Sequence, residues 1–125
     1  MASQYRNGAD LELAARHKLE ARFPFVIRSA GSKGPADVIA AERGVLVLVQ
    51  CKTTGRMTKA QREAFGIFAD LIGAFAVICT WVKEGRAARV PGFELVNVWG
   101  DTYPLDPDPA AWFKLPAPVL AGGSE

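Results

Sequence analysis

The chain has 125 residues, of which 50% are hydrophobic and 22% charged, and its formal net charge is +2. This composition predicts one globular domain with its own core, and the apolar runs are too short to cross a membrane. Because residues 1–12 lack the apolar segment of a secretory signal, we expect a cytoplasmic protein, or one of the host cytoplasm if the source is viral.

In chain order, the first half predicts one helix followed by three strands. Apolar residues at helical spacing predict a helix over 8–22, capped by Asn7 and ended by Pro24. A turn over 42–44 makes the second and third strands a hairpin. The third strand is almost wholly apolar and is therefore expected at the centre of the sheet. The strands are predicted over 25–28, 36–41 and 45–51, with a Gly/Ser loop over 29–35.

The second half predicts a further helix, two strands and a tail. Thr58 and Gln61 form a capping box, and Gly73 ends the helix. Strands are predicted over 75–82 and 93–99, joined by a loop. The apolar stripe of the helix is expected to face the core and consists of Ala60, Ala64, Ile67 or Phe68, and Leu71.

This element order predicts an α/β fold with a mixed sheet of about five strands flanked by helices. Residues 1–100 are expected to form the main domain. Five of the eight prolines lie between 104 and 118. We therefore expect 101–125 to be a Pro-rich tail, anchored by Trp112 and Phe113, that packs on the same domain or contacts a second copy.

The charges are unevenly distributed along the chain. Residues 1–62 contain 11 Lys and Arg against 5 Asp and Glu, whereas 63–125 contain 4 against 8, which gives +6 and −4. A basic half suggests a surface for a polyanion, although an uneven solvated surface explains the same numbers. Two cysteines, both in apolar segments, are expected to be buried thiols in a reducing compartment, and with a single histidine they are too few for a Cys/His zinc site.

Polar side chains are predicted to converge at one end of the sheet. Gln50 and Lys52 alternate along the third strand and share a face, and Asp37 precedes the neighbouring strand. Each has an ordinary explanation alone, and Glu12 alone is a solvent-facing helix residue. Together they are suited to phosphodiester cleavage, because Mg²⁺ takes oxygen ligands and a lysine stabilises developing negative charge.

Three segments resemble the archaeal-type Holliday-junction resolvases, members of the PD-(D/E)xK nuclease superfamily. They are RNGADLE (6–12), FVIRSAGSKGPADVIA (25–40) and VLVLVQCK (45–52), and the resemblance covers about half the chain. The family pattern is a glutamate in the first helix, then R-S-A-G-S, an aspartate and E-x-K. Glu12, Asp37 and Lys52 match it, whereas Gln50 stands where the family usually has glutamate.

The resemblance implies a restriction-endonuclease-like fold and a homodimer that nicks two opposed strands of a four-way DNA junction in recombination and repair. It implies Mg²⁺ as cofactor, with Mn²⁺ also supporting activity. The implied catalytic residues are Glu12, Asp37, Gln50 and Lys52. The implied metal ligands are Glu12, Asp37, Gln50 and the backbone carbonyl of Cys51. The residues expected to bind DNA are Arg6, Arg28, Ser29, Ser32, Lys33, Arg56, Lys59 and Arg62.

Two other functions fit the same residues. Gln50 makes a junction- or DNA-binding protein of the same fold, with weakened or lost cleavage, a real alternative. A restriction-type nuclease has the same chemistry, but no additional recognition element fits within 125 residues.

Overall fold

A computed structural model describes residues 4–29, 36–53, 56–85 and 88–112. Within these ranges, no helix has both the length and the apolar character needed to cross a bilayer. The elements in chain order are α1 (Gln4–Glu20), β1 (Phe25–Arg28), β2 (Val38–Glu42), β3 (Val45–Lys52), α2 (Lys59–Leu71), β4 (Phe75–Glu84), β5 (Ala88–Val96), β6 (Thr102–Pro104) and a 3₁₀ turn (Pro109–Ala111).

The strands form one six-stranded sheet in sequence order, β1 to β6. β3 and β4 are parallel, as expected where a helix connects two strands, and the other four pairs are antiparallel. The predicted α/β fold with a mixed sheet flanked by helices is confirmed. The sheet has six strands instead of about five, because residues 102–104, which are all exposed, pair with the end of β5.

The two helices cover opposite faces of the sheet with two separate cores. On one face, α1 buries Leu11, Ala15 and Leu19 against residues such as Val47 and Val77. On the other face, α2 buries Phe65 and Ala69 against residues that include Leu48, Ile78 and Val96. One helix therefore packs on each face of the sheet, and each contact forms its own hydrophobic core.

α1 is displaced towards the N-terminus relative to its prediction. It begins at Gln4, before the expected cap at Asn7, and ends at Glu20. The amides of Ala21 and Arg22 then bond to carbonyls three residues back, which tightens and closes the last turn. Gly8 does not interrupt the helix, because its cost is small beside the apolar face that α1 buries.

The predicted core-facing stripe of α2 is wrong. The helix buries Phe65, Gly66 and Ala69, whereas Ile67, Phe68 and Leu71 are 47%, 39% and 77% exposed. Gly66 explains the choice of face, because a side chain there would clash with the carbonyl of Asn97 in the turn after β5.

The predicted loop after β4 is instead a strand pair. β4 continues to Glu84 and β5 begins at Ala88, where the sequence predicted strands over 75–82 and 93–99. β5 ends at Val96 because the Asn97 side chain accepts hydrogen bonds from the amides of Trp99 and Asp101, which makes a turn.

The segment after β6 packs against the core as far as it is described. Trp112 is 2% exposed, lies edge-on to Phe93 with ring centroids 4.9 Å apart, and donates its indole N–H to the carbonyl of Asp106 at 2.7 Å. Arg22 donates to the carbonyls of Pro109 and Trp112. Phe113, the other predicted anchor, lies outside the described residues.

Candidate active site

Asp37 is fixed at the point where β1, β2 and β3 meet. Its amide donates to the carbonyl of Val49, and its carbonyl accepts from the amide of Ser29, both at 2.8 Å. Its carboxylate oxygen Oδ2 accepts from the amide of Cys51, also at 2.8 Å. The side chain is therefore held beside the last residues of β3, and among the described residues its second oxygen has no hydrogen-bond donor.

Gln50 and Lys52 lie at the end of β3, opposite Ile78 and Thr80 of the parallel strand β4. Both side chains are partly buried, and both line a groove beside α2. The alternation of β3 puts both side chains on one face, as the sequence predicted. The structure shows that α2 covers this face. Asp37 and the Gln50/Lys52 pair are thus brought to the same end of the sheet.

Glu12 reaches the site region from α1. Its carboxylate accepts from the guanidinium of Arg28 at 2.6 Å, and the Glu12 side chain is 18% exposed whereas that of Arg28 is 54% exposed. Arg28 therefore neutralises a largely buried carboxylate while most of its own guanidinium-bearing side chain remains in contact with solvent.

Cys51 lies close to both carboxylates. It is the cross-strand neighbour of Cys79, and both are free thiols, Cys79 buried and Cys51 partly buried. The pKa of Cys51 is raised well above its usual range. The causes, largest first, are the hydrogen bond with Cys79, burial, and the charges of Cys79, Asp37 and Glu12. Burial and the neighbouring negative charges therefore disfavour the thiolate form of Cys51.

The oxygen donors fit a hard divalent cation. Within the described part of the chain, no three His, Cys, Asp or Glu side chains lie close enough to hold a metal together. Asp37, Glu12 and the Gln50 amide offer two carboxylates and a neutral oxygen, with Glu12 approaching from the α1 side of the sheet and Gln50 lining the groove on the α2 side. Mg²⁺ commonly takes only one or two carboxylates and keeps several waters, so this set suits it in kind, with one negative charge fewer than three carboxylates give.

A second groove, of about 370 Å³, adjoins Lys52. Arg56 and Arg62 contribute positive charge to it. Arg62 also donates to the carbonyls of Gly100 at 2.7 Å and Met57 at 2.8 Å, so much of its guanidinium fixes the segment before α2 to the turn before β6.

The remaining predicted DNA-binding residues have varied positions. Lys59 is exposed at the first residue of α2, and Arg6 lies in the first turns of α1. Ser29 contributes its amide to Asp37. The amide of Gln61, near the start of α2, is already bonded to the capping Thr58. Ser32 and Lys33 lie outside the described residues.

Two further groove residues, Thr80 and Trp81, were not identified from the sequence. They reach the site because β4 is parallel to β3 with Thr80 opposite Lys52. The helix predicted between the third and fourth strands is a signal for parallel pairing, but it does not define the register that selects these two residues.

Two of three comparisons with known proteins find members of the same group of proteins. No family model matches the chain. A crossover junction endodeoxyribonuclease, Hjc, from Methanocaldococcus jannaschii is 35% identical over an alignment of 77 residues that covers 58% of this chain and 57% of that protein. The match therefore spans little more than half of the relative. The structure of Archaeoglobus fulgidus Hjc, a Holliday junction resolvase, matches with a TM-score of 0.51 and 24% identity, over 74% of this chain and 73% of that one.

The solved structure supports the fold, and the M. jannaschii protein supports the likeness in sequence. Both relatives are Hjc proteins, the group whose motifs the three segments of this chain resemble. The chain is therefore similar in sequence and in fold to the archaeal Holliday-junction resolvases.

Proposed function

We propose that this chain is a metal-dependent endonuclease that resolves four-way DNA junctions by paired symmetric nicks. The observation that carries the proposal is the Asp37 carboxylate bonded to the amide of Cys51, between Gln50 and Lys52, at one end of a sheet with the resolvase fold. The chemistry of these residues and the names of the relatives support the same reaction.

The proposed metal ligands are Asp37, Glu12, Gln50 and the backbone carbonyl of Cys51. Mg²⁺, or Mn²⁺ in its place, would supply water activation and neutralisation of the phosphate. The hydrogen bond from Cys51 leaves Asp37 with one oxygen for this purpose and prevents the side chain from rotating away. Such pre-organisation matters because a shift of the order of 1 Å in a reacting group costs about 100-fold in rate.

Lys52 and Arg28 supply positive charge on the protein side. The Lys52 ammonium is proposed to orient the attacking water and to stabilise charge that develops on the phosphate. Arg28 holds the Glu12 carboxylate in position through their 2.6 Å contact. Its exposed remaining N–H groups are suited to a phosphate oxygen of the same strand.

The exposed side of α2 supports a dimer. Ile67, Phe68, Leu71, Ile72 and Phe75 are each 38–77% exposed. Together they expose apolar area on the order of 500 Å², the size of the largest apolar patch on a typical monomer, which is often functional. One partner of a standard interface buries about 800 Å². We name these five residues the α2 apolar flank and propose that a second copy covers it, because a C2 pair supplies two sites for two opposed strands.

The experiment compares a labelled four-way junction with a linear duplex of matching sequence, each with and without Mg²⁺. The proposal predicts nicks in two opposed strands of the junction only, and only with the metal. Equal cutting of the linear duplex would contradict junction selectivity. Tight junction binding without cutting in either Mg²⁺ or Mn²⁺ would favour the alternative of a junction-binding protein without cleavage.

A further inference from the structure

Glu94 lies on the same face of the sheet as Gln50 and Lys52. Gln50 is opposite Ile78 of β4, and Ile78 is in turn opposite Glu94 of β5. Directly opposed residues of neighbouring strands project to the same side of a sheet. Glu94 and Lys52 also line the same groove, of about 370 Å³. This groove therefore connects the end of β3 with the middle of β5.

The fold gives Glu94 no partner within the ranges that the structure describes. Its cross-strand neighbours, Ile78 and Pro104, are uncharged, and it has neither a hydrogen bond nor an ion pair with a described residue. The side chain is exposed, and glutamate is a residue depleted in strands generally. The carboxylate is therefore available to a bound molecule.

The rest of the groove presents cations and hydroxyl groups. Lys52, Arg56 and Arg62 carry positive charge, and Thr80 and Thr102 carry hydroxyl groups. Such side chains are typical contacts of phosphate oxygens, whereas a carboxylate repels a phosphate and only accepts hydrogen bonds. A groove that combines both suits a nucleotide, because the phosphate is an anion and some base edges carry N–H donors.

The dimensions of the groove also suit one nucleotide. β3 and β5 are two strand spacings apart, which is about 10 Å, so Lys52 and Glu94 approach a bound molecule from opposite sides. In B-form DNA the major groove is about 8.5 Å deep, which separates the base edges from the phosphates by a similar distance. A phosphate held near Lys52 therefore places a base edge within reach of Glu94.

We propose that Glu94 reads the major-groove edge of a base next to the cleaved phosphate and gives cleavage a preference for cytosine or adenine there. This proposal rests on the proposed function, because it concerns the same substrate. The exocyclic amino groups of cytosine and adenine donate to a carboxylate, whereas guanine and thymine present the acceptors O6 and O4, which a carboxylate repels.

The test measures single-turnover cleavage, with Mg²⁺, of four-way junctions that differ only in the base at each of the two positions flanking the cut. The variant is Glu94→Gln, which keeps the shape of the side chain but adds a donor. The control variant is Glu20→Gln, which changes an exposed carboxylate at the last residue of α1 in the same way. Thermal unfolding checks that both variants keep the fold.

Wild type and Glu20→Gln are expected to cut junctions with cytosine or adenine at one of these positions at least about 5-fold faster than those with guanine or thymine. Glu94→Gln should lose this preference, because an amide both donates and accepts.

Equal wild-type rates for all four bases, a wild-type preference for guanine or thymine, or an unchanged preference in Glu94→Gln would overturn the Glu94 proposal alone. Loss of all cutting by a folded Glu94→Gln would also overturn it, because a base contact affects the choice of sequence and not the chemistry. If wild type cuts no junction with Mg²⁺ or Mn²⁺, the proposed function is overturned and the Glu94 proposal with it.

Discussion

The Asp37 side chain accepts one hydrogen bond, from the amide of Cys51, and has one proposed role, as a metal ligand. A single substitution tests the second without removing the first. Asp37→Asn keeps an oxygen that accepts the hydrogen bond from Cys51, so the fold should be unchanged. It removes the negative charge that a divalent cation requires. We expect junction cleavage to fall by at least about 100-fold, while junction binding, which rests mainly on Lys and Arg, stays within a few-fold of wild type.

Single-turnover cleavage and gel-shift binding measure the two effects separately. Asp70→Asn, at an exposed position of α2, is the matched control and should cut at the wild-type rate. Wild-type cleavage by Asp37→Asn would remove Asp37 from the site.

Gln50 determines how much negative charge the site offers to a metal. Gln50→Glu gives three carboxylates with Asp37 and Glu12, so the Mg²⁺ concentration for half-maximal cleavage should fall, and Mn²⁺ should lose any advantage over Mg²⁺. A metal titration of cleavage, with calorimetric titration of metal binding beside it, measures the change.

The opposite result is expected if the NH₂ group of Gln50 donates a hydrogen bond to a water or to a phosphate oxygen, because an ionised glutamate cannot donate one. Cleavage by Gln50→Glu would then be impaired even at saturating metal. An unchanged midpoint and an unchanged rate would show that residue 50 does not take part in metal binding.

At the scale of elements, α2 owes its start to a capping box that the sequence identified correctly. The Thr58 hydroxyl accepts from the amide of Gln61 at 3.1 Å, and the Gln61 side chain accepts from the amide of Thr58 at 2.9 Å. Thr58→Ala should lower the free energy of unfolding by about 1 kcal/mol, whereas Thr58→Ser should stay close to wild type. Urea unfolding distinguishes them, and equal stability of all three proteins would show that the box contributes nothing.

Prediction from sequence succeeded where the determining residues are close together in the chain. The capping box spans four residues, and the hairpin turn before β3 is equally local. The faces of α2 could not be predicted because the helix is apolar on two sides. Gly66 settles the choice through Asn97, 31 positions further along the chain.

In the candidate site, too, some features are determined by neighbouring residues in the chain and others by distant ones. The alternation of β3 correctly placed Gln50 and Lys52 on one face, and the hairpin brought Asp37 to the same end. The pairing of Glu12 with Arg28 depends on how α1 packs beside β1. The proximity of Trp81 depends on the register of β3 with β4. Neither is encoded in a local pattern.

For the molecule as a whole, the α2 apolar flank leads us to expect a homodimer. Leu71 is the most exposed member at 77%, so Leu71→Arg should leave the fold intact but introduce two like charges into a C2 interface. We expect light scattering to give twice 13.4 kDa for wild type and 13.4 kDa for the variant.

Asp70→Arg introduces the same residue one position away, outside the apolar flank, and should remain a dimer. A monomeric wild type at micromolar concentration would contradict the dimer. A dimeric Leu71→Arg variant would move the interface to another surface.

In a dimer of the proposed resolvase, two Asp37-centred sites should cut opposed strands within one encounter with a junction. A supercoiled plasmid that extrudes a cruciform tests it most directly, because a single nick relaxes the plasmid and the junction is reabsorbed before a second encounter. With Mg²⁺ we expect linear plasmid as the main product of wild type, and uncut plasmid with Asp37→Asn. Nicked circles as the main wild-type product, or equal cutting by Asp37→Asn, would contradict it.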